Sequence, residues 1–537
     1  MSSRTDMLAR LQDQTEYDLI IIGGGITGCG VAYEAAARGV RVLLLEQGDF
    51  ASGTSSRSTK LIHGGIRYLK QMDFRLVREG VQERQNLIAA APYLVHPIQF
   101  VYPVHAGDPD PFWALRIGMM LYDWYAGRSN LLRHKVYPGK TVLAEEPNLR
   151  EDGLQGAGLY ADCLTDDARL TVEVARAAAR KGAVLLNYMR VDRFLYHADG
   201  RMAGVVATDL LSGGEPIQVT GKAFLNATGP WADVIRRLDE PGCEPTVRTT
   251  KGVHITVPHD RLPIKRPVVM HAADKRLMFA VPRDGFTYLG TTDTDYEGDP
   301  AALTVDESDV TYILAATNRT FPRAHLTLED VVSAWAGLRS LAATGGGLKP
   351  SQVSRDYRLH TSKSGLVSVA GGKLTAFQAM ARSVLRTVLP HLSVGELPLD
   401  LPGIARGSQP ADFALLAREA GLPAGAPQEL WARHGCEVPL VLEQMDPEVD
   451  DARARMLAAE AVFAVRHEFA VTLTDALNRR TAQMLFSRDN GMRSVEVVAG
   501  AMGRLLGWSE EERASQVAAY RAEVARMMNW RSRSIGD

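Results

Sequence analysis

The segment YDLIIIGGGITGCGVAYEAAARGVRVLLLE, residues 17–46, contains the features that decide the fold of this chain. Residues 17–22 form an apolar, β-branched run that predicts a buried parallel strand. Glycines follow immediately, and residues 31–38 predict an alanine-rich helix that ends at Gly39. Residues 41–46 predict a second buried strand. Strand, helix and strand over this length predict a βαβ unit.

The pattern G-x-G-x-x-G lies between the first strand and the helix, where it acts as a dinucleotide fingerprint. The first glycine makes a tight turn, the second lets the backbone approach a pyrophosphate, and the third lets helix and strand pack closely. Glu46 ends the second strand and is predicted to bind the adenosine ribose. The predicted cofactor contacts in the turn are Gly23, Gly25, Ile26, Thr27 and Gly28.

Two later segments, residues 223–229 (AFLNATG) and 365–372 (GLVSVAGG), repeat the pattern of a buried strand that ends in glycine. Each taken alone also fits a plain turn after a strand. A flavin needs more backbone close to it than a nicotinamide, so glycines at several strand ends favour FAD over NAD. Because the segments lie far downstream, the FAD domain is predicted to be discontinuous. They add Thr228, Gly229, Gly371, Gly372, Leu374 and Thr375 to the predicted FAD site.

A hydroxyl-rich loop, residues 54–60 (TSSRSTK), follows the second strand and leads into residues 61–68 (LIHGGIRY). Hydroxyls and backbone N–H groups in this place can bind pyrophosphate or ribityl oxygens, although a solvated loop is the alternative. Two glycines beside a histidine and an arginine suggest backbone close to a ring system. The predicted cofactor contacts here are Thr54, Ser55, Ser56, Ser58, Lys60, Leu61 and His63.

The hydrophobic pattern of the rest of the chain changes at two places. Residues 249–295 alternate with period two, and a turn at 282–285 between two apolar runs predicts an antiparallel hairpin. Residues 389–410 contain four prolines and are the predicted linker to a helical region. The predicted fold class is α/β: a discontinuous, FAD-binding, Rossmann-like doubly wound domain (17–100, 150–240 and 336–390, the last with a substrate loop), an antiparallel-sheet substrate domain (241–335) and an all-helical C-terminal domain (411–530).

Composition excludes several classes of protein. The chain has 537 residues, with 61 Lys and Arg against 63 Asp and Glu, so the net charge of −2 does not indicate nucleic-acid binding. The four cysteines, Cys29, Cys163, Cys243 and Cys436, form no CxxC pair, and neither a metal site nor a disulfide framework is predicted. Without a secretory signal or an apolar run of membrane length, we expect a cytoplasmic protein or one on the cytoplasmic face of a membrane.

Seven segments together resemble the FAD-dependent glycerol-3-phosphate dehydrogenases. The resemblance implies oxidation of sn-glycerol 3-phosphate to dihydroxyacetone phosphate in glycerol metabolism, with FAD reduced and electrons passed to membrane quinone. It also implies a homodimer bound peripherally to the cytoplasmic face of the inner membrane. The segments are IIGGGITG (21–28), TSSRSTKLIHGGIRYL (54–69), DARL (167–170), NATGPW (226–231), KGVHITVP (251–258), GTTDTDYEGDP (290–300) and GGKLTAFQ (371–378).

A phosphate dianion requires cationic partners, with arginine for two-point binding and lysine as a point charge. The matching segments contribute Arg67, Tyr68, Arg339, Arg355 and Lys373 as predicted substrate contacts. Ser340 follows Arg339 where the family has proline, so this loop is expected to differ.

Oxidation at C2 also requires a base for the hydroxyl proton. His63 and His254 are the candidates, with His63 favoured, and Arg339 and Lys373 are predicted to stabilise the developing charge on oxygen.

Other functions share most of these motifs. The alternatives are an oxidase that passes electrons to oxygen, an amine or amino-acid oxidase of the same fold, and a non-catalytic flavin-bearing sensor. Two segments, 112–124 and 517–530, are candidates for contact with a membrane surface, although packing against the protein is the favoured interpretation of both.

Overall fold

The computed structural model describes residues 3–14, 16–64, 74–126, 132–343, 357–404 and 409–531, and the statements below refer to these. The strands, in chain order, are β1 (Glu16–Tyr17), β2 (Leu19–Ile22), β3 (Val42–Leu45), β4 (Leu61–Ile62), β5 (Val95–His105), β6 (Lys135–Pro138), β7 (Leu154–Thr165), β8 (Val184–Leu186), β9 (Met189–Tyr196), β10 (Met202–Asp209), β11 (Ile217–Gly221), β12 (Phe224–Asn226), β13 (Val247–Pro258), β14 (Val268–His271), β15 (Leu277–Arg283), β16 (Phe286–Gly290), β17 (Thr294–Asp295), β18 (Ser333–Ala342), β19 (Arg358–Thr361) and β20 (Leu366–Ala370).

The α-helices fall into two groups, those among the strands and those that follow them. The helices are α1 (Arg4–Asp13), α2 (Ile26–Ala36), α3 (Phe74–Ala90), α4 (Phe112–Ala126), α5 (Gly139–Glu145), α6 (Asp167–Arg180), α7 (Ala232–Asp239), α8 (Glu307–Thr320), α9 (Phe377–Val388), α10 (Ala414–Glu419), α11 (Ala426–His434), α12 (Val438–Leu442), α13 (Ala452–His467), α14 (Val495–Leu506) and α15 (Glu510–Met527). One turn of π-helix covers Asp475–Arg480.

A six-stranded sheet with the order β19-β20-β12-β2-β3-β8 is the centre of the fold. All its neighbouring strands are parallel except β19, which is antiparallel to β20 at the edge. Every residue of β2 (LIII) and β3 (VLLL) is buried, as expected for strands covered on both faces. Helix α2 packs against α6 and α9. This sheet confirms the predicted α/β class and its discontinuous origin.

The first βαβ unit differs in detail from the prediction. Helix α2 begins at Ile26, directly after the glycine turn, rather than at residue 31. The predicted strand 17–22 divides at Asp18, whose carboxylate accepts hydrogen bonds from Arg41 and Lys222 at the surface. Residues before Asp18 form β1 and pair with β11 in a separate four-stranded sheet, β1-β11-β10-β9.

The predicted antiparallel sheet is present but extends beyond residues 241–335. A ten-stranded sheet joins β13–β18 to β4–β7, because β5 pairs in parallel with β14 and antiparallel with β7. Parts of the segments assigned to FAD binding therefore belong to this sheet. Its β15–β16 hairpin turns at Asp284 and Gly285, both with positive φ, so the turn has two residues rather than the predicted four, and Pro282 remains in the strand.

The C-terminal region is helical, as predicted, but it is not held on a free linker. Leu399 and Leu401 of the predicted linker are buried in the core of the six-stranded sheet. The Tyr33 hydroxyl donates to the Pro398 carbonyl at 2.8 Å and accepts from the Asp400 N–H at 2.9 Å. The predicted linker is therefore packed against the domain that contains the six-stranded sheet. At the other end Trp530 is buried in the core of the ten-stranded sheet, which supports packing as the interpretation of residues 517–530.

Candidate active site

A cavity of about 700 Å³ opens at the carboxyl ends of β2, β3, β12 and β20, the place where parallel sheets bind ligands. Its volume lies in the range of small-molecule and cofactor sites. Most residues that the sequence predicts for a dinucleotide line this cavity: Gly23, Gly25, Ile26, Thr27, Glu46, Thr54, Ser55, Ser58, Leu61, His63, Thr228, Gly229, Gly371, Gly372, Leu374 and Thr375.

The glycines of the turn are required by close backbone contacts. A Cβ atom on Gly28 would lie 1.9 Å from the Gly23 carbonyl oxygen, and one on Gly23 would lie 2.7 Å from the Ala227 oxygen. Gly28 therefore packs behind the wall and does not itself line the cavity. A Cβ on Gly25 would meet only the Ser55 hydroxyl, at 3.1 Å. The backbone at Gly25 thus presents an open cradle towards the cavity.

The N-terminus of α2 faces this cradle. Its N-cap residue is Gly25, which has no side chain to cap the first turn. The Ile26 N–H donates to Ser55 Oγ at 2.9 Å. Backbone N–H groups and the helix dipole at such an end favour an anion. These residues fit the pyrophosphate of a dinucleotide.

Glu46 is held in position at the end of β3 by two backbone donors. Its Oε2 accepts from the Gly24 N–H at 2.6 Å and its Oε1 from the Gly48 N–H at 2.7 Å. Burial raises the pKa of Glu46, and the two N–H donors oppose the increase. The carboxylate oxygens retain lone pairs that can accept hydrogen bonds from a ribose, so the position fits the predicted role.

Two predicted cofactor contacts in the hydroxyl-rich loop differ from the expectation. The Lys60 Nζ pairs with Asp167 Oδ1 at 2.6 Å and donates to the Ser56 carbonyl at 3.0 Å, and its side chain is buried. Ser58 does line the cavity, and its hydroxyl donates to Asp167 Oδ2 at 2.7 Å. Lys60 and Ser56 do not line the cavity, because the Lys60 ammonium is turned towards Asp167 and the Ser56 carbonyl.

His63 lines the cavity directly after β4. Its backbone N–H donates to Thr375 Oγ1 at 3.3 Å. The next residue, Gly64, donates its N–H to Asp162 Oδ1 at 2.7 Å. The backbone on both sides of the His63 side chain is therefore anchored, which suits a group that must meet a substrate in one geometry.

His254 does not line the cavity. Its side chain is buried on β13, its Nε2 lies 3.0 Å from Thr59 Oγ1, and its ring stacks on Trp335 with centroids 5.0 Å apart. Burial, with the charges of Arg339 and Lys60, holds the pKa of His254 well below its usual value. The hydroxyl of Thr59, which does line the cavity, stands between this histidine and the site.

Arg339 and Lys373 both line the cavity. The Arg339 Nη1 pairs with Asp293 Oδ1 at 3.0 Å, and its Nη2 donates to Thr291 Oγ1 at 3.1 Å, so the plane of the guanidinium is fixed. Lys373 follows Gly371 and Gly372, whose positive φ values let the chain turn sharply after β20.

Arg67, Tyr68 and Arg355 lie outside the described residues. Ser340, where the chain departs from the resembled family, lies in the cavity wall.

Several wall residues were not predicted. Asp167 belongs to the quoted DARL segment. It is the first residue of α6, directly after the N-cap residue Asp166, and this position was the sequence feature that could have drawn attention to it. Arg57 and Thr59 lie within the predicted loop but were not selected. Glu79, on α3, also lines the cavity, and no pattern around it distinguishes it from a surface carboxylate.

Comparison with known proteins agrees with this geometry. Residues 18–378 match the family described as FAD dependent oxidoreductase, and residues 398–513 match the C-terminal domain of alpha-glycerophosphate oxidase. The structure is similar to that of the glycerol-3-phosphate dehydrogenase from Bacillus halodurans complexed with FAD. The TM-score is 0.82 and the sequence identity 32%, over 98% of this chain and 99% of that chain.

Two relatives align with this chain over almost their whole length, but one is named a dehydrogenase and the other an oxidase. The aerobic glycerol-3-phosphate dehydrogenase of Bacillus subtilis is 36% identical over 95% of this chain and 94% of its own length. The alpha-glycerophosphate oxidase of Streptococcus pneumoniae is 35% identical over 96% of each.

Proposed function

The chain belongs to the FAD dependent oxidoreductase family and its cofactor is FAD; from this premise we propose that it oxidises sn-glycerol 3-phosphate to dihydroxyacetone phosphate and passes the electrons to a membrane quinone. The observation that carries the proposal is the set His63, Arg339 and Lys373 in the wall of the cavity that holds the dinucleotide turn. Oxidation of a phosphorylated alcohol requires a base for the hydroxyl proton and cations that bind the phosphate.

The two cations suit the substrate in different ways. Arg339 presents a planar guanidinium held by Asp293 and Thr291, and a fixed guanidinium loses little freedom when it binds phosphate. Lys373, which follows β20 in the six-stranded sheet, adds a point charge to the same cavity. Arg67, Tyr68 and Arg355 are proposed as further substrate contacts on the resemblance alone.

Oxidation at C2 removes a hydride from carbon and a proton from the hydroxyl. Bound FAD supplies the two-electron acceptor for the hydride. We assign the proton to the imidazole of His63, which lines the cavity, rather than to His254, which is buried behind Thr59. Lys373 and Arg339 would stabilise negative charge on the oxygen as the proton leaves.

One face of α4 supports a membrane-bound acceptor. Its Leu115 and Met119 are buried, whereas the opposite side exposes apolar side chains at one-face helical spacing. Trp113 is 66% exposed and Trp124 is 73% exposed. Tryptophan is favoured where a membrane meets water. The exposed set is Trp113, Ile117, Met120, Leu121 and Trp124. No helix within the described ranges is long and apolar enough to cross a bilayer.

A second candidate acceptor is oxygen, because a relative that is 35% identical, against 36% for the dehydrogenase of Bacillus subtilis, is named an oxidase. The two acceptors are separated in one experiment. The purified protein is mixed with glycerol 3-phosphate without oxygen, and the absorbance near 450 nm is followed. Bleaching supports the substrate, whereas a protein that stays oxidised with this substrate but bleaches with glycine or proline overturns it. The reduced protein is then mixed with a soluble quinone or with oxygen, and faster reoxidation by quinone is expected.

We propose a homodimer on the cytoplasmic face of the inner membrane, acting in glycerol metabolism, as the cellular setting. Light scattering of the purified protein tests the dimer. Fractionation of cells tests the location, and a pool recovered wholly in the supernatant at low salt would contradict it.

A further inference from the structure

A buried cluster of charges joins the C-terminal helical domain to the loop after β3. Asp49 is 1% exposed and accepts from both terminal guanidinium nitrogens of Arg480, Nη1 at 2.6 Å and Nη2 at 2.9 Å. The Nε of Arg479 donates to the same carboxylate at 2.5 Å. Burial alone would raise the pKa of Asp49, but the two arginine charges outweigh it and hold the pKa at about 2. The carboxylate is therefore ionised at neutral pH.

Both arginines lie in the π-helical turn Asp475–Arg480. In a regular α-helix, neighbouring side chains diverge by about 100°, whereas here two consecutive residues reach one carboxylate. Asp475 holds the turn in place, since it accepts from Arg479 Nη2 and from the Tyr188 hydroxyl. Irregular turns of this kind occur often at functional sites.

An aromatic contact runs beside the charges. The rings of Phe50 and Phe469 meet edge to face with centroids 5.1 Å apart, and both are buried. Asn187 bridges the two sides, because its Nδ2 donates to Asp49 Oδ1 and to the Phe469 carbonyl. The C-terminal domain thus contacts two consecutive residues of the loop.

The residues on either side of Asp49 contact the cofactor turn and Glu46. A Cβ on Gly24 would lie 2.6 Å from the Phe50 ring, so this ring packs directly on the dinucleotide turn. The Ala51 N–H donates to the Gly24 carbonyl at 3.0 Å. On the other side of Asp49, Gly48 donates its N–H to Glu46, the proposed ribose ligand. The two chain neighbours of Asp49 therefore contact Glu46 and the dinucleotide turn.

We propose that Asp49, held by Arg479 and Arg480, is a positioning residue through which the C-terminal helical domain completes the FAD site. FAD binding and docking of the C-terminal segment 468–480 then stabilise each other, since a coupling free energy acts equally in both directions. The proposal depends on FAD binding alone and goes beyond the substrate and acceptor proposed above.

A second ion pair between the domains provides the matched control. Arg176 on α6 pairs with Glu437 through two hydrogen bonds, of 2.8 and 3.0 Å, and both residues are buried. Neither residue lines the cavity. Arg180 also donates to Glu437, at 2.9 Å. Glu437→Gln therefore neutralises a buried carboxylate between the domains, as Asp49→Asn does, without touching the loop after β3.

The first measurement is the dissociation constant of FAD from the full-length protein, with thermal unfolding in parallel. Asp49→Asn is expected to weaken FAD binding at least tenfold, and Glu437→Gln less than threefold, even where both lower the melting temperature. At saturating FAD the KM for glycerol 3-phosphate should match wild type in Asp49→Asn. Equal FAD affinity in the two variants would overturn the proposal, because the pair would then be merely structural.

The second measurement uses the wild-type chain and Arg480→Lys, in case Asp49→Asn does not fold. Adding FAD to wild-type apoprotein should slow amide hydrogen exchange in residues 475–480, and this slowing should be reduced in Arg480→Lys, which keeps the charge but loses the two-point contact. Exchange unaffected by FAD in the wild type would overturn the proposal. The FAD dissociation constant and the exchange rates are measured without turnover, so a wrong substrate assignment would leave these two readouts unchanged.

Discussion

Asp162 Oδ1 accepts a hydrogen bond from the Gly64 N–H at 2.7 Å, one residue after His63. The carboxylate lies on β7 and also accepts from Arg84 Nη1 at 2.6 Å. Burial raises the pKa of Asp162, and the Arg84 charge and the Gly64 N–H oppose the increase. The backbone of the candidate base is therefore tied to a buried ion pair between β7 of the ten-stranded sheet and α3, although the cavity opens at the strand ends of the six-stranded sheet.

Asp162→Ala should slow the reaction without removing the base. It frees the Gly64 N–H and removes the carboxylate that faces the buried Arg84 guanidinium, and breaking a buried ion pair costs about 3–5 kcal/mol in other proteins. We expect anaerobic flavin reduction by glycerol 3-phosphate to slow about tenfold at saturating FAD, with a lower melting temperature. Asp295→Asn removes an exposed ion pair with Arg248 and should change neither. Normal flavin reduction in Asp162→Ala would contradict this role.

His63→Ala should slow flavin reduction by about 10²–10⁴, the range for loss of a general base. FAD should remain bound, as its absorbance will show. His254→Gln should have a smaller effect, because that ring is separated from the cavity by Thr59. Stopped-flow absorbance without oxygen measures both. A larger loss in His254→Gln would make His254 the base.

His254 should make the protein less stable as the pH falls below 6.5. Its pKa in the folded protein lies well below that value, so the unfolded chain binds a proton that the folded chain does not. The contribution to stability is therefore complete above pH 6.5 and decreases by up to about 1.4 kcal/mol per pH unit below it. His254→Phe keeps an aromatic ring beside Trp335 but cannot be protonated. Calorimetry should show a smaller decrease in melting temperature from pH 7 to pH 5 in this variant, and an equal decrease would contradict the argument.

Gly28→Ala should abolish FAD binding or folding. The new Cβ would lie 1.9 Å from the Gly23 carbonyl oxygen, and neither backbone segment can move without opening the turn. Gly500→Ala is the control, since that glycine lies in α14 with its nearest neighbouring atom 3.9 Å away, and alanine should stabilise the helix by about 1 kcal/mol. The flavin absorbance of the purified proteins measures the difference. A yellow, stable Gly28→Ala protein would show that the turn can adjust.

The exposed face of α4 should bind membranes. Replacing Trp113 and Trp124 with serine should reduce co-flotation with phospholipid vesicles about tenfold, and added salt should not restore it, because the contact is apolar. Leu415→Ser changes an apolar side chain of similar exposure on α10 and should leave flotation unchanged. Wild-type protein that does not float would exclude this surface as the docking face.

The glycine turn could be predicted in detail because the constraint is local. Gly23 and Gly28 lie within one βαβ unit, and the need for glycine at both positions follows from close backbone contacts. The role of Glu46 as a ribose ligand stays a prediction. The strand ends at Thr228 and Gly371 were also recognisable, since a buried apolar run followed by glycine is a signal in itself. Lys60 was misplaced, because its partner Asp167 is distant in sequence and the loop shows no periodicity.

The sequence by itself determined the α/β class, the dinucleotide turn and the set of candidate site residues. Short-range sterics and strand periodicity restrict which residue types can occur at neighbouring positions, so these features can be recognised in short segments. Only the tertiary structure decided which histidine lines the cavity, that β5 and β7 join the antiparallel sheet, and that Arg480 binds Asp49. These depend on contacts between residues separated by up to several hundred positions. Such contacts form only when the sheets and helices pack against one another, so no pattern within a short segment of the sequence predicts them.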